Sequence, residues 1–161
     1  MNPKKIQPYF NAISQKNDGE NSMTEGNLVC CNDHAFQIFF VGEIRRTVFS
    51  NIYLFSENDV IMLKAHCKHC GKIVHVFDSR CDGYENCGEE PEVQVNLNPI
   101  KCRKCGENDF CVRVKYEYPD IKDLENLGIE DIDNAFTWIW ISLTCNKCGA
   151  KYKNFVDYET S

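Results

Sequence analysis

The chain has 161 residues and a formal charge of −6, with 43% hydrophobic and 26% charged residues. This composition is typical of one ordinary globular domain or two small ones, and it excludes a disordered chain. No run of about eighteen apolar residues is present, which excludes a membrane-spanning helix. The negative charge disfavours a nucleic-acid partner, because an acidic surface repels phosphate backbones.

The cysteine count is high, with eleven in the chain. The first residues, MNPKKIQPYF, include lysines but no apolar stretch, so they do not resemble a secretory signal and we expect a cytoplasmic protein. In a reducing compartment cysteines act as metal ligands more often than they form disulfides. Binding two zinc ions through eight thiolates would make the net charge still more negative.

The N-terminal segment, residues 1–26, is predicted to contain a short helix near 3–15 followed by a loop. Ile6, Phe10 and Ile13 are spaced close to a helical period, which favours the helix. Residues 16–26, KNDGENSMTEG, are polar and contain two glycines, as is typical of a loop.

The rest of the chain is rich in strand signals. Runs of β-branched and aromatic residues predict strands near 36–41, 59–66, 72–78, 92–97, 110–118, 136–144 and 150–157, and a further one is possible within 48–55. Residues 120–127 have a helical pattern that ends before Gly128. The sequence therefore predicts an all-β fold with minor α.

Two matching C-x-x-C-G motifs, at 102–106 and 145–149, predict a metal site. Each tight turn brings two thiols to one point, and its glycine allows the chain to leave with a positive φ. Zinc prefers four ligands in a tetrahedron, so we expect Cys102, Cys105, Cys145 and Cys148 to bind one ion together. Iron could use the same ligands, although zinc is the commoner occupant. A redox dithiol is disfavoured because strands follow the turns.

Over residues 102–157 the chain resembles the zinc-ribbon class, in which two such turns cap a three-stranded antiparallel sheet. The long excursion between the turns departs from the shortest ribbons. A similar, degenerate pattern upstream indicates an internal repeat. We therefore expect two tandem zinc-ribbon-like antiparallel β lobes, at 27–78 and 101–161, joined by a turn-rich connector at 79–100 and bound to two structural zinc ions.

The first predicted site is less completely defined than the second. Cys67 and Cys70 form another C-x-x-C-G turn, and Cys31 precedes the phenylalanine of the following strand by the same interval as Cys105 in the second half. The fourth ligand is left open between two residues. His34 would complete a C-x-x-H spacing, whereas Cys30 is favoured if Cys31 is the second cysteine of its turn.

The remaining cysteines and the histidines have simpler predicted roles. Cys81 and Cys87 lack two further partners and are interpreted as ordinary thiols, and Cys111 as a structural residue within a strand. We expect His66, His69 and His75 to be solvated or to support the ligands. Trp138 and Trp140 alternate with isoleucines, which indicates a strand buried on both faces, or a partner surface if one face is exposed.

Basic residues flank the predicted turns. They are Lys68, Lys72, Lys101, Arg103, Lys104, Lys147 and Lys151. We interpret them as compensation for the negative charge of thiolate sites and not as a nucleic-acid patch.

No catalytic motif is recognisable, and four protein ligands would leave a zinc ion no open position for a substrate. We therefore expect a non-enzymatic protein whose structural zinc sites support binding to an unidentified protein partner, with an adaptor or regulatory role. Two alternatives are a nucleic-acid-binding ribbon and an enzyme, either a redox dithiol or a metal-dependent hydrolase. The nucleic-acid alternative requires the lysines to converge on one face with Tyr116, Tyr118 or Tyr152.

Overall fold

The structure, a computed structural model, describes residues 1–58, 60–86 and 95–160. The all-β fold with minor α is confirmed. The strands are β1 (Phe10–Asn17), β2 (Asn21–Leu28), β3 (Phe36–Val41), β4 (Glu43–Arg46), β5 (Ile52–Phe55), β6 (Met62–Cys67), β7 (Ile73–Asp78), β8 (Asn98–Pro99), β9 (Phe110–Pro119), β10 (Trp138–Cys145) and β11 (Lys151–Glu159), with one helix, α1 (Ile121–Asn126).

Most predicted strands are present within two or three residues of their expected bounds. The possible strand at 48–55 is limited to β5, because residues 47–51 form the turn that joins β4 to β5. Of the strand expected at 92–97, residues 92–94 lie outside the described part of the chain. Residues 95–97 are not in a strand, and the short β8 follows them.

Two antiparallel three-stranded units form most of the fold. In the first, β6 lies between β3 and β7, and in the second, β10 lies between β9 and β11. Buried residues alternate regularly with mostly half-buried ones along β9 and β10, which gives each strand one face toward the core. Both units belong to one continuous sheet, and the boundaries proposed for two lobes remain predictions.

The two units meet where the first residues of β3 and β9 pair. Phe36 pairs with Phe110, and both side chains are fully buried. Phe36 also pairs with Cys67 on β6, and Phe110 pairs with Cys145 on β10. One row across four strands therefore reads Cys67, Phe36, Phe110 and Cys145, with a cysteine at each end and two phenylalanines at the centre.

Aromatic contacts join the two units face to face. The ring of Phe40 in β3 meets Phe155 in β11 at 6.4 Å between centroids, with a nearly perpendicular arrangement. Phe77 in β7 lies 5.3 Å from Tyr158 in β11 and 6.3 Å from Phe136. The sheet therefore curls so that its two units enclose a shared core, and the other face of β9, β10 and β11 is left toward solvent.

The predicted N-terminal helix near 3–15 and the loop at 16–26 are wrong. The segment forms a short 3-10 helix at Gln7–Tyr9 and then the β1–β2 hairpin, whose second strand pairs with β9. In β2 the buried residues, Thr24, Gly26 and Leu28, lie on one face and include only one large apolar side chain, and most of β1 is exposed. These strands form because β9 offers backbone partners, a long-range effect that a local pattern cannot reveal.

An ion pair between the exposed residue Lys5 and the buried residue Asp82 holds the N-terminus against the rest of the fold. The Lys5 ammonium bonds to the Asp82 carboxylate, which also accepts a 2.7 Å hydrogen bond from the Asp78 N–H. Burial raises the pKa of Asp82, and the Lys5 charge opposes that shift. The 3-10 helix and β1 are thereby tied to the segment that follows β7.

The helix predicted at 120–127 is confirmed as α1. Asp120 precedes it, and its side chain accepts a 2.8 Å hydrogen bond from the Lys122 N–H, which caps the first turn. Gly128 follows with a φ of 72°. Among the described residues, no helix has the length and apolar character needed to cross a membrane.

The tryptophan strand is buried on only one face. Ile139 and Ile141 are fully buried, whereas Trp138 and Trp140 stand half-buried on the outer face of the sheet. Their rings stack at 5.5 Å with an interplanar angle of 9°. The prediction of burial on both faces is therefore wrong for the tryptophan side.

We predict that Phe110→Ala lowers the free energy of unfolding by about 3–5 kcal/mol, because it leaves a cavity where the two units pair. The matched control is Phe49→Ala at a side chain that is 93% exposed, which should change stability by less than about 0.5 kcal/mol. Urea denaturation followed by tryptophan fluorescence measures both. Equal effects of the two substitutions would contradict a central role for this pairing.

Candidate metal centres

The second predicted site forms a compact cluster of four thiols. The sulfur atoms of Cys102, Cys105, Cys145 and Cys148 all lie within 4.8 Å of one another. Cys102 is 3.5 Å from Cys148, and Cys105 is 3.5 Å from Cys145. We call these four residues the second cluster. Each of its two turns contributes two sulfurs, as the motif spacing predicts.

The three C-x-x-C-G turns share one backbone arrangement. In each, the carbonyl of the first cysteine accepts from the glycine N–H, at 2.9 Å for Gly71, 2.7 Å for Gly106 and 2.9 Å for Gly149. The three glycines have φ of 73°, 80° and 75°, a region that favours glycine because a Cβ clashes there. The sequence motif therefore encodes the turn directly.

The first predicted site also forms a cluster of four thiols. The sulfur atoms of Cys30, Cys31, Cys67 and Cys70 lie within 4.8 Å of one another, and we call these residues the first cluster. Cys30 is 3.6 Å from Cys70 and 3.9 Å from Cys31. Two adjacent cysteines thus take the place of a C-x-x-C pair.

The turn that holds the adjacent cysteines differs from the other three. Cys30 and Asp33 exchange two backbone hydrogen bonds of 3.0 Å, and Cys31 and Asn32 between them have φ of 54° and 56°. Two central residues with positive φ are typical of a type I′ turn. A cysteine in this conformation is strained, and such strain is found where a site fixes the geometry.

His34, the other candidate for the fourth ligand, is not one of the four clustered residues. The ring Nδ1 of His34 is 3.0 Å from the carbonyl oxygen of Leu28, and the backbone N–H of His34 donates to the Asp33 carboxylate at 2.7 Å. His34 therefore supports the chain on both sides of the cysteine turn. The structure brings Cys30 into the cluster and leaves His34 outside it.

The sulfur separations fit a tetrahedral metal site. A zinc–sulfur bond of about 2.3 Å gives a tetrahedron whose sulfur–sulfur edges are about 3.8 Å, close to the 3.5–3.9 Å separations in the two clusters. A disulfide requires about 2.0 Å, and the clustered cysteines are free thiols. Both clusters are geometrically able to hold a metal ion.

The second cluster contains one thiol that is easy to ionise and one that is not. Burial opposes ionisation of Cys102, but the Tyr152 hydroxyl at 3.3 Å and backbone N–H groups lower its pKa to about 6. The backbone N–H of Glu107 favours the Cys105 thiolate, yet burial and the neighbouring thiols raise its pKa to about 12. Four thiolates without a cation repel one another, and a divalent ion removes that conflict.

The first cluster likewise contains one thiol with a lowered pKa and one with a raised pKa. A hydrogen bond from the backbone N–H of Lys72 contributes most to lowering the pKa of Cys70, to about 7. Burial and the neighbouring thiols raise the pKa of Cys30 to about 12. In each cluster, backbone N–H groups stabilise one sulfur as a thiolate, and a bound cation would relieve the repulsion among the other sulfurs.

Side-chain hydrogen bonds to carboxylates connect the two turns of each cluster. Lys147 bonds to Glu107 at 2.9 Å across the second cluster, and His69 bonds to Asp33 at 2.6 Å across the first. The hydrogen bond from His69 is the main reason that the pKa of Asp33 is lowered. These exposed contacts add orientation more than stability.

Asp109 joins one cluster to the other. Its carboxylate accepts from Lys68 of the first cluster's turn at 2.9 Å and from the Asn146 side chain of the second cluster's turn at 2.9 Å. The Asn146 side chain also donates to the His34 carbonyl at 3.2 Å. Sequence reasoning missed Asp109, Asn146 and Tyr152, because nothing in their spacing marks them as supports for a site that long-range pairing assembles.

Among the described residues, Cys81, Cys111, His66 and His75 belong to neither cluster. Cys81 and Cys111 are half-buried free thiols, and Cys87 lies outside the described residues. The ring of His66 lies against Phe39 at 4.3 Å between centroids. His75 lies in β7 and belongs to neither cluster.

The tyrosines on which the nucleic-acid alternative depends are buried. Tyr116 and Tyr118 are fully buried, and Tyr152 is nearly so. Two of the lysines beside the turns, Lys68 and Lys147, bond to carboxylates. Both observations count against this alternative.

Comparison with known proteins gives no match: no protein-family model, no curated protein sequence and no solved structure is similar to this chain at a significant level.

We predict that Cys30→Ser removes one metal ion per chain, whereas His34→Ala removes none. The reason is that the Cys30 sulfur lies in the first cluster and the His34 ring does not. Metal-to-protein ratios from inductively coupled plasma mass spectrometry measure this directly. The opposite result would assign the fourth position to His34.

Proposed function

We propose that this protein is a zinc-stabilised, non-enzymatic module that binds another protein, in an adaptor or regulatory role. The observation that carries the proposal is the pair of four-thiol clusters. Zinc readily binds four thiolates in a tetrahedron and has no redox chemistry of its own, so two groups of four thiols suit two zinc ions. The resemblance to zinc ribbons supports the same assignment.

A structural role for the metal follows from the composition of the clusters. Each offers four cysteines, so a bound ion would have a complete set of protein ligands and no position for a substrate. Each cluster also connects distant parts of the chain, since Cys30 and Cys70 meet in one and Cys102 and Cys148 in the other. Zinc binding at such sites supplies folding free energy.

The hairpin of β4 and β5 supports a protein-binding role. At its tip Val48 is 96% exposed and Phe49 is 93% exposed. The turn is well ordered by hydrogen bonds, since the Thr47 N–H donates to Asn51 at 2.7 Å and its hydroxyl accepts from the Asn51 N–H at 3.2 Å. Apolar side chains on a turn that is fixed by hydrogen bonds are suited to insert into a pocket of a partner protein.

Purified without chelators, the protein should contain two zinc ions per chain, one for each cluster. Cys145→Ser should reduce this to one and lower the melting temperature, because the zinc bound by structural sites contributes about 10 kcal/mol or more to folding. Cys111→Ser is the matched control, since this cysteine belongs to neither cluster, and it should keep both ions. Mass spectrometry of the metals identifies the element, and iron in place of zinc would contradict the assignment.

A photo-crosslinking amino acid at position 49 should form an adduct with one defined protein in extracts of the source cells. The same amino acid at position 122, on the exposed surface of α1, is the control and should not form that adduct. The partner, identified by mass spectrometry and purified, should then bind the wild-type protein and lose affinity for Phe49→Ser. Equal labelling from both positions would argue against the tip as a contact.

A further inference from the structure

A basic cleft lies on the outer face of the β9–β10–β11 sheet, next to the second cluster, since its lining includes Thr144 and Tyr152. Its volume is about 520 Å³, which is within the range of ligand-binding sites. Four of the lining side chains are basic, Arg113, Lys115, Lys151 and Lys153, whereas one is acidic, Glu25. This concentration of positive charge stands out in a chain whose formal charge is −6.

The strand register explains the shape of the cleft. On the central strand, β10, the small side chains Ser142 and Thr144 form the floor. Arg113 pairs with Ser142 from one side, and Lys151 pairs with Thr144 from the other. Neighbouring strands are about 4.8 Å apart, so the two basic walls stand about 10 Å apart. A single extended peptide fits between them.

A β-bulge in β11 forms part of the wall. The register of β10 and β11 shifts after Ile141, and Asn154 in the bulge has a φ of 51°. The Asn154 N–H donates to the Ser142 hydroxyl at 2.9 Å, which fixes the bulge to the cleft floor. The shift places two extra residues in β11, and within this stretch Lys153 is exposed while Phe155 remains fully buried. Bulges of this kind orient side chains beside binding sites.

The basic groups of the cleft are largely free to take a ligand. Within the described ranges, neither Lys151 nor Lys153 forms an ion pair. Arg113 has an exposed contact of 3.7 Å with Glu25, and its Nε donates a long hydrogen bond of 3.4 Å to the Asn27 side chain. An exposed pair of this kind contributes little and is easily exchanged. The cleft therefore offers several cations to an incoming anion.

The surroundings of the tryptophans favour a short peptide over a nucleic acid. The Trp140 ring already has Lys115 Nζ at 4.3 Å from its centroid and Trp138 stacked on it, so it is not an open platform for a base. Beyond it, Trp138 pairs with Glu117 and Glu159, whose carboxylates repel a continuing phosphate chain. Because the positively charged region is short, it suits a short ligand.

The cleft adjoins the apolar hairpin tip. The Asn51 side chain, at the base of the tip, donates a 2.7 Å hydrogen bond to the carbonyl of Lys153 in the cleft wall. A partner that places acidic residues between the lysines would also be close to Phe49. Charge and apolar contact are thus available to one ligand.

We propose that this cleft binds a short, extended, acidic segment of the protein partner, with its carboxylates between the lysine and arginine walls and its apolar residues toward the hairpin tip. The inference rests on the proposed protein-binding function and names the chemistry of the partner.

The test uses the zinc-loaded protein and a fluorescein-labelled peptide of alternating Asp and Leu residues. Fluorescence anisotropy should show binding, and the intrinsic tryptophan emission should change, because both tryptophans of the chain stand on this face. Lys151→Glu with Lys153→Glu should weaken binding at least about tenfold, since like charges then face each other. The control, Lys16→Glu with Lys122→Glu, makes the same change of net charge at exposed positions outside the cleft lining.

Several outcomes would overturn the proposal. These are absence of peptide binding, equal weakening by both double variants, equal binding of an alternating Lys and Leu peptide, and tighter binding of single-stranded oligo-dT than of the acidic peptide. Crosslinking from position 49 is repeated in the Lys151→Glu, Lys153→Glu background to separate the two proposals. An undiminished adduct would show that the protein partner exists and does not use the cleft, whereas loss of the adduct is expected.

Discussion

The fold depends on bringing four thiols close together at each of two places. Sulfur atoms within 4.8 Å of one another cannot all ionise without a cation, as the opposed pKa shifts of Cys102 and Cys105 reflect. The surrounding structure serves this constraint. In three of the four cysteine turns, a glycine with positive φ lets the chain leave the turn, and backbone N–H groups point at the sulfurs. The fourth turn instead has two non-glycine residues with positive φ.

The sheet connects the two clusters. The row Cys67, Phe36, Phe110, Cys145 places one cysteine of each cluster at the two ends of four adjacent strands, about 14 Å apart. Asp109 adds a polar link beside the row. The strands β10 and β11, which form the cleft, also lead into and out of a turn of the second cluster.

The sequence was informative where the structure is local and uninformative where it is not. The C-x-x-C-G turns, the α1 helix with its Asp120 cap and the alternation in β9 are encoded by neighbouring residues, and each could be predicted. The choice between Cys30 and His34 could not, because it depends on a type I′ turn that Asn32 permits but does not require. The β1–β2 hairpin was missed because its mostly polar residues become strands only through pairing with β9. The cleft was hidden for a similar reason, since its two walls come from strands that are separated in the chain by α1 and β10.

The pairing of Phe36 with Phe110 has a consequence for how the two units depend on each other. The two residues occupy corresponding places in the two units, and they pair antiparallel with each other, which is also the geometry of a residue that meets its own copy across a two-fold axis. One unit on its own would leave the backbone groups at this edge without partners, and an open sheet edge is a template for pairing with another chain. Because both units belong to one chain, each covers the other's edge at any protein concentration.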